Sequence, residues 1–220
     1  YLWIYAGHIA EVAGEPAPGD LVDVRTHSGR VIGRGFFNPL SKIRVRLLTF
    51  RDEPIDEKFW VSRIAAAQAL RRHVVSGTTA YRLIHGESDF LPGLIVDHYA
   101  DVLVMQTLSS GMALRKDLLA DLLMRETGAS AVYLRNDVHS LALEGLQTEQ
   151  RFLRGESPTV IEITEGTARF TVDIEHGQKT GWFCDQRENR LAVASLAEGA
   201  AVLEAFCHTG AFGIHAALHG

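Results

Sequence analysis

Apolar and polar positions alternate with period two through the first fifty residues. Leu21-Val-Asp-Val-Arg25 alternates, His27-Ser-Gly-Arg30 reads as a turn, and Val31-Ile-Gly-Arg-Gly-Phe-Phe37 resumes the strand pattern. Asn38-Pro-Leu-Ser41 is a second turn. Ile43-Arg-Val-Arg-Leu47 then sets apolar side chains on one face and basic ones on the other. Short strands separated by turns at this spacing predict a small β-barrel. The period changes at residues 57–75. Phe59, Trp60, Ile64, Ala67, Leu70 and Val74 recur at helical spacing, with Asp56 as N-cap and Ser76-Gly77-Thr78-Thr79 as the end of the helix and a domain boundary.

Residues 80–155 read as α+β. Tyr81–Ile84 and Leu94–Tyr99 flank a loop, Val102–Leu108 is a strand, Met112–Thr127 a helix and Ala131–Arg135 a strand. Polar residues from Glu149 to Pro158 read as a linker. Ile161–Gly166 and Ala168–Ile174 predict a hairpin with Glu165-Gly166-Thr167 at its tip. A glycine-bearing loop leads into a helix from about Gln186 to Ala197, then a buried strand Ala201–Phe206, then a helix opened by Thr209-Gly210. The last unit has the form of the first β-turn-α of a parallel sheet, with further units expected after Gly220.

Composition narrows the class. The chain has 220 residues, 46% hydrophobic and 22% charged, which is globular and argues against disorder or a fibrous repeat. No apolar run approaches the roughly 18 residues of a membrane-spanning helix, so no membrane partner is expected. Tyr1–His8 lacks the basic start and long apolar core of a secretory signal. Two cysteines, Cys184 and Cys207, make no disulfide framework and point to a reducing, cytoplasmic compartment. The net charge of −5 is uneven: residues 1–75 carry 11 basic and 8 acidic side chains, residues 76–220 carry 11 and 19. Between Val24 and Arg51 stand Arg25, Arg30, Arg34, Lys42, Arg44, Arg46 and Arg51 without one acidic residue. Such a patch suits a polyanion, and equally a solvated strand face.

Two stretches carry candidate chemistry. The first is Gly177-Gln-Lys-Thr-Gly-Trp-Phe-Cys-Asp-Gln-Arg-Glu-Asn-Arg190. Glycines flanking Lys179-Thr180 let backbone approach a ligand, and Asp185 and Arg187 can accept and donate. The competing reading is a hairpin exit with Asp185 capping the next helix. The second is Val202-Leu-Glu-Ala-Phe-Cys-His-Thr-Gly-Ala-Phe-Gly-Ile214, a strand-turn-helix of the kind that lines nucleotide crevices. Alone it is a weak signal, because only Gly210 and Gly213 are present.

Together they resemble the class I S-adenosylmethionine (SAM)-dependent methyltransferases that modify the 5-carbon of cytosine in large-subunit ribosomal RNA and carry an N-terminal PUA RNA-binding domain. The resemblance rests on G-x-K-T-G-x-x-x-D-Q-R-x-N-R at Gly177–Arg190 and F-x-x-T-G-x-F at Phe206, Thr209, Gly210 and Phe212. It continues through Tyr81–Asp97, Tyr133-Leu-Arg-Asn-Asp137 with Glu144-Gly145-Leu146, and Gly33-Arg-Gly35 with Asn38-Pro39 and Arg44-Val45-Arg46. It covers essentially the whole chain. It implies a multidomain α/β protein: a PUA-like β-barrel with its exit helix in residues 1–75, a central α+β domain in 76–158, and in 159–220 the start of a Rossmann-like methyltransferase domain, incomplete in this chain.

The resemblance further implies SAM as cofactor, held by Gln178, Lys179, Thr180, Gly181, Phe183, Asp185 and Arg187 of the first stretch and Ala205, Phe206, Thr209, Gly210 and Phe212 of the second. It implies ribosomal RNA as partner, with Arg25, Arg30, Arg34, Lys42, Arg44 and Arg46 on its phosphates, and it allows a homodimer. The acidic ribose ligand, a D-P-P motif and the nucleophilic cysteine are expected after Gly220, and the first barrel strand before Tyr1, so no catalytic residue is assigned within the chain. Cys184 and Cys207 read as small structural cysteines. His215 and His219 lie i, i+4 on a helix, but without a third ligand nearby no metal site is expected. His85 and His139 read as loop residues. Two other classes stay open: a non-catalytic RNA-binding or ribosome-assembly protein on the same scaffold, and a methyltransferase for another nucleobase or for protein.

Overall fold

The computed structural model describes residues 1–219. Four strands, β1 (Trp3–Tyr5), β2 (Leu21–Arg25), β3 (Val31–Phe37) and β4 (Ile43–Thr49), form an antiparallel sheet in the order β1-β4-β3-β2. The alternation along β4 buries Val45 and Leu47 with Phe37, against Leu2, Ile4, Ile9, Val22 and Val24, in a small core of their own. The opposite face is also apolar where Phe36 and Leu48 point out. There it packs on helix α1 (Glu57–Val74) through Phe59, Trp60 and Ile64. The Asp56 carboxylate caps α1, accepting from the Phe59 N–H at 3.0 Å. Leu70 and Val74, read as part of the apolar stripe, are more than half exposed, because the last turns of α1 run past the core.

A second sheet follows: β5 (Ala80–His85), β6 (Leu94–Tyr99), β7 (Val102–Thr107), β8 (Ala131–Asn136) and β9 (Glu149–Arg154), side by side in that order. Only β7 and β8 are parallel, joined by two helices, α2 (Ser110–Ala113) and α3 (Lys116–Thr127). The single helix expected over Met112–Thr127 is broken at Leu114-Arg115. Gly111 lies so close to the N-terminal sheet that a Cβ there would sit 2.0 Å from the Phe36 ring. The stretch read as a linker from Glu149 is instead the edge strand β9 to Arg154. Its few apolar residues, Phe152 and Leu153, are enough because an edge strand buries little.

Both faces of this sheet are covered, which is why Val102–Met105 of β7 reads as a continuous apolar run. Leu103, Met105, Val132 and Leu134 face α1 and α3. Val102, Val104, Ala131 and Tyr133 face a hairpin of β10 (Val160–Glu165) and β11 (Ala168–Asp173), through Ile161, Ile163, Phe170 and Val172. The hairpin turns at Gly166, whose N–H donates to the Gly77 carbonyl at 2.7 Å. The final helices are α4 (Arg187–Ala194) and α5 (Ala211–His219). The buried strand expected over Ala201–Phe206 does not form: Val202 is half exposed, and Leu203 and Phe206 are fully exposed. A strand needs a neighbour for its N–H and C=O groups, and these residues pair with no other strand among the described residues. No helix among the described residues is long and apolar enough to cross a membrane.

Candidate functional site

The loop 177–186 leaves β11 and returns into α4, and it is held at three points, two on the central sheet and one on the hairpin. First, Arg135 of β8 donates to the carbonyls of Ile174, at 3.0 Å, and Gly177. Second, Thr180 is fully buried against β6. Its hydroxyl donates to Asp97 at 2.5 Å and receives the Tyr99 hydroxyl at 2.8 Å. Asp97, itself without solvent contact, is gripped by Arg82 of β5 through Nε at 2.8 Å and Nη2 at 2.9 Å. Hydrogen bonding to Asp97 raises the Arg82 pKa, so that guanidinium stays charged. Third, Arg190 of α4 forms a bidentate pair with Glu165 at the end of β10, both distances 2.6 Å, with the two side chains 2% and 1% exposed.

Between these pins the chain bends sharply. Lys179 has φ +55°, and Gly181 has φ +123° with no room for a Cβ beside Val172. Lys179 turns outward, its ammonium 3.0 Å from Asp185 and 4.2 Å from the Phe183 ring centroid. Burial pushes the Asp185 carboxyl up, but the Lys179 ammonium more than offsets it, and the group lies below the ordinary aspartate range. Asp185 therefore pairs with Lys179 rather than capping α4, whose first turn has no side-chain cap.

Beside this loop opens a cleft of about 500 Å³. Trp182, Phe183, Gln186, Arg190 and Val193 form one side, and residues 202–209 with Ala211 and Phe212 form the other. Two of its residues, Phe206 and His208, hold φ near +57° and +50°, a left-handed conformation that costs a non-glycine residue about 1–3 kcal/mol and is commonest at functional sites. The cleft brings together Phe183, Ala205, Phe206, Thr209 and Phe212 of the twelve cofactor candidates. Gln178, Lys179, Thr180, Gly181, Asp185, Arg187 and Gly210 do not line it. Of these, Arg187 donates to the Ser76 carbonyl at 3.3 Å and pairs with Glu188. Gly210 opens α5, accepting from the Ile214 N–H at 2.9 Å.

The basic residues of the first sheet divide into two sets. Arg34 donates to Asp23 at 2.7 Å and to the Glu53 carbonyl at 2.8 Å, and Arg25 lies 3.4 Å from Asp23. The charged face of β4 is not open at Arg46: its side chain is 13% exposed, pairs with Glu144 at 2.8 Å and lies over the Trp3 ring. Burial raises the Glu144 carboxyl, but hydrogen bonds from Arg46, Ser41 and Asn38 outweigh it and bring the pKa below the ordinary range. Arg46 thus ties the N-terminal sheet to the central unit through acids that lie far away in sequence. Arg44 donates to the Asn38 carbonyl at 3.2 Å, while Arg30 and Lys42 are exposed and pair with no carboxylate among the described residues.

Residues 1–50 match the family model of a PUA-like domain. The chain is similar to ribosomal RNA large subunit methyltransferase I. It is 44% identical over 223 residues to the protein of that name from Shewanella denitrificans and 42% identical over 222 to that from Shewanella amazonensis, in each case over 99% of this chain and 56% of the relative. The Aeromonas hydrophila protein of that name is 40% identical over 97% of this chain and 55% of its own length. The chain therefore spans about half the length of the curated relatives it matches. Two solved structures share its fold at 20% identity over all of this chain and 56% of theirs. One, a candidate methyltransferase complexed with SAH, superposes with a TM-score of 0.82; the other, a candidate SAM-dependent methyltransferase from Streptococcus mutans, with 0.78.

Several residues of the site escaped the sequence reading. Trp182, Gln186, Arg190 and Val193 line the cleft, and Asp97, Tyr99, Arg82 and Glu165 hold the loop. Arg190 stood in the quoted motif, and helical spacing from Gln186 would have set it on the same face. Asp97 closed the quoted Tyr81–Asp97 stretch, a carboxylate in an otherwise apolar strand, which is a signal for a buried partner. Cys184 is half-buried with Sγ 4.0 Å from the Tyr99 oxygen. Burial, with Asp97 nearby, pushes its thiol far up, which disfavours the thiolate. His215 lies 3.1 Å from Glu165, and burial lowers its pKa.

Proposed function

We propose that the chain forms the cofactor-holding and RNA-binding part of a methyltransferase that modifies the 5-carbon of a cytosine in large-subunit ribosomal RNA. The observation that carries this reading is the convergence of the two motif stretches on one cleft: Phe183 from the first and Ala205, Phe206, Thr209 and Phe212 from the second. The similarity to ribosomal RNA large subunit methyltransferase I supports the substrate class.

The cleft fits SAM. Its volume lies within the range of about 300–1,000 Å³ usual for small-molecule sites, and its walls are aromatic and apolar. Phe183, Phe206 and Phe212 offer faces to a purine, while the first turn of α5 already holds a carboxylate of the protein itself, the Gly213 N–H donating to Glu204 at 2.8 Å. Bound there, SAM supplies an electrophilic methyl group. The 5-carbon of cytosine is a weak nucleophile, and the reaction class needs a thiolate on the neighbouring 6-carbon to raise its reactivity, then a base to take the 5-proton as the thiolate leaves. The target base must be unstacked to be reached. Neither cysteine is assigned that role: Cys184 is held as a thiol, and Cys207 lies in the cofactor segment.

For RNA, Arg30 and Lys42 are exposed and pair with no carboxylate among the described residues, whereas Arg44 is half-buried over the Phe37 ring with an N–H on the Asn38 carbonyl, and Arg46 and Arg34 hold the protein together. Replacing Arg30 and Lys42 with alanine is expected to weaken RNA binding and to reduce the slope of log affinity against log salt by about one per lost contact. Filter binding across a salt series checks this; an unchanged slope would remove both from the interface. The function itself is tested by offering the full-length protein labelled SAM and unmodified large-subunit ribosomal RNA and mapping the label. Transfer to the 5-carbon of a cytosine is expected. A folded protein that binds the RNA without transferring label would favour the non-catalytic reading.

A further inference from the structure

We infer that the segment from Arg135 to Glu144 is a common mount for the RNA-gripping sheet and the cofactor loop, and that Glu144 is a positioning residue for methyl transfer. This rests on the chain being part of an RNA methyltransferase, and adds a residue to which that reading gives no part in the reaction.

The two ends of the segment hold different parts of the molecule. At its start, Arg135 of β8 donates to the carbonyls of Ile174 and Gly177, where the loop 177–186 begins. Asp137, 3.1 Å from the Arg135 Nε, orients that guanidinium. At its end, Glu144 is buried and takes the N-terminal sheet. Its Oε1 accepts from Arg46 of β4 at 2.8 Å. Its Oε2 and its main-chain carbonyl accept from the Asn38 amide at 2.9 and 3.0 Å. Between the ends, the Asn136 side chain accepts from the Thr107 N–H at 2.9 Å and donates to the Thr107 hydroxyl at 2.8 Å, which fixes the segment to β7.

The RNA grip lies close to this tie. Lys42 follows Asn38 and Ser41 in the turn between β3 and β4, and the side chains of both bond Glu144. The packing of Phe36 and Leu48 on α1 holds the two sheets together, but apolar contact has no direction. The hydrogen bonds to Glu144 do, and they are shielded from water, so they set the angle of the N-terminal sheet. RNA held on that sheet meets SAM in the cleft only in the geometry the segment imposes. A sheet free to swing would still bind RNA, yet would present the target base out of register. A misplacement of about 1 Å can cost on the order of a hundredfold in rate.

Glu144→Ala in the full-length protein tests this. Turnover at saturating SAM and ribosomal RNA is expected to fall about tenfold, while the affinities for SAH and RNA and the salt slope of RNA binding stay unchanged. Glu144→Gln keeps an oxygen for Asn38 and gives up the charge, and is expected to recover part of the loss. A second measurement does not need the reaction. Spin labels on Ser28→Cys, in the β2–β3 turn, and Arg169→Cys, exposed on β11, are placed in a Cys207→Ser background. They are expected to give one narrow distance distribution, which Glu144→Ala broadens. Unchanged turnover in a folded Glu144→Ala protein, or a distribution as narrow as the original, overturns the proposal. A loss confined to RNA or SAH affinity overturns it too, since the tie would then serve binding. Should Glu144→Ala fail to fold, Glu144→Gln decides by the same two measurements. No transfer by the unaltered protein overturns the functional reading and with it the part of Glu144 in transfer, while the distances still decide whether the segment fixes the sheet.

Discussion

Replacing Asp97 with alanine is expected to destabilise the protein by about 3 kcal/mol, the scale for removing one partner of a buried ion pair. Asp97 has no solvent contact and accepts three hydrogen bonds, two from Arg82 and one from Thr180. Its loss leaves the Thr180 hydroxyl buried without its acceptor, and Arg82, 31% exposed, to seek water. The loss is not confined to stability. Thr180 is the point at which the loop 177–186 is sewn to β6, so Phe183, three residues on, loses its anchor beside the cleft. Asp97→Asn keeps an oxygen for Thr180 and gives up the charge, and is expected to fall between the two. Urea denaturation of the three proteins, with SAH binding measured alongside, checks the order. An Asp97→Ala protein as stable as the original would mean that Arg82 and Thr180 find equivalent partners elsewhere, and that β6 does not position the loop.

That connection shows where the sequence was informative and where it was not. The strands β2, β3 and β4, helix α1 and the hairpin β10–β11 follow from local periodicity, because each has one buried face and its residues report it. The N-cap at Asp56 was legible for the same local reason. Failures came where a neighbour decides the outcome. Glu149–Arg154 is polar enough to read as a linker, yet β8 offers it an edge. Ala201–Phe206 is apolar enough to read as a core strand, yet no strand among the described residues pairs with it. Arg46 alternates correctly with its apolar neighbours, but nothing near it in sequence reveals that Glu144 will meet it from 98 residues away. In the site, the glycines and Lys179-Thr180 marked the loop. Local pattern could not tell that Thr180 faces inward to Asp97 while Lys179 faces outward to Asp185, since the left-handed turn at Lys179 sets those directions.

Removing the charge of Arg190, as in Arg190→Met, is expected to cost about 3–5 kcal/mol, because Glu165 is left buried and unpaired. The double variant Arg190→Met with Glu165→Leu is expected to regain much of that loss, since two apolar side chains in place of a buried pair are often no worse than the pair. The single change Arg190→Met should reverse a pH dependence. In the unaltered protein, burial lowers the His215 pKa, Glu165 raises it and Arg190 lowers it. The unfolded chain then binds the His215 proton more readily than the folded one, so this group's contribution to stability is present above its ordinary pKa of about 6.5 and is lost as the pH falls through the folded value. In Arg190→Met the cation is gone and an unpaired carboxylate stands 3.1 Å from the imidazole. The folded pKa of His215 should rise above the unfolded one, so that the variant gains stability as the pH falls from 8 towards about 6. Urea midpoints across that range, with His215→Phe as the control that removes the titration, check the sign. If Arg190→Met keeps the slope of the unaltered protein, Glu165 has found another partner or taken up a proton itself, and the buried pair is not what holds α4 and α5 around the cleft.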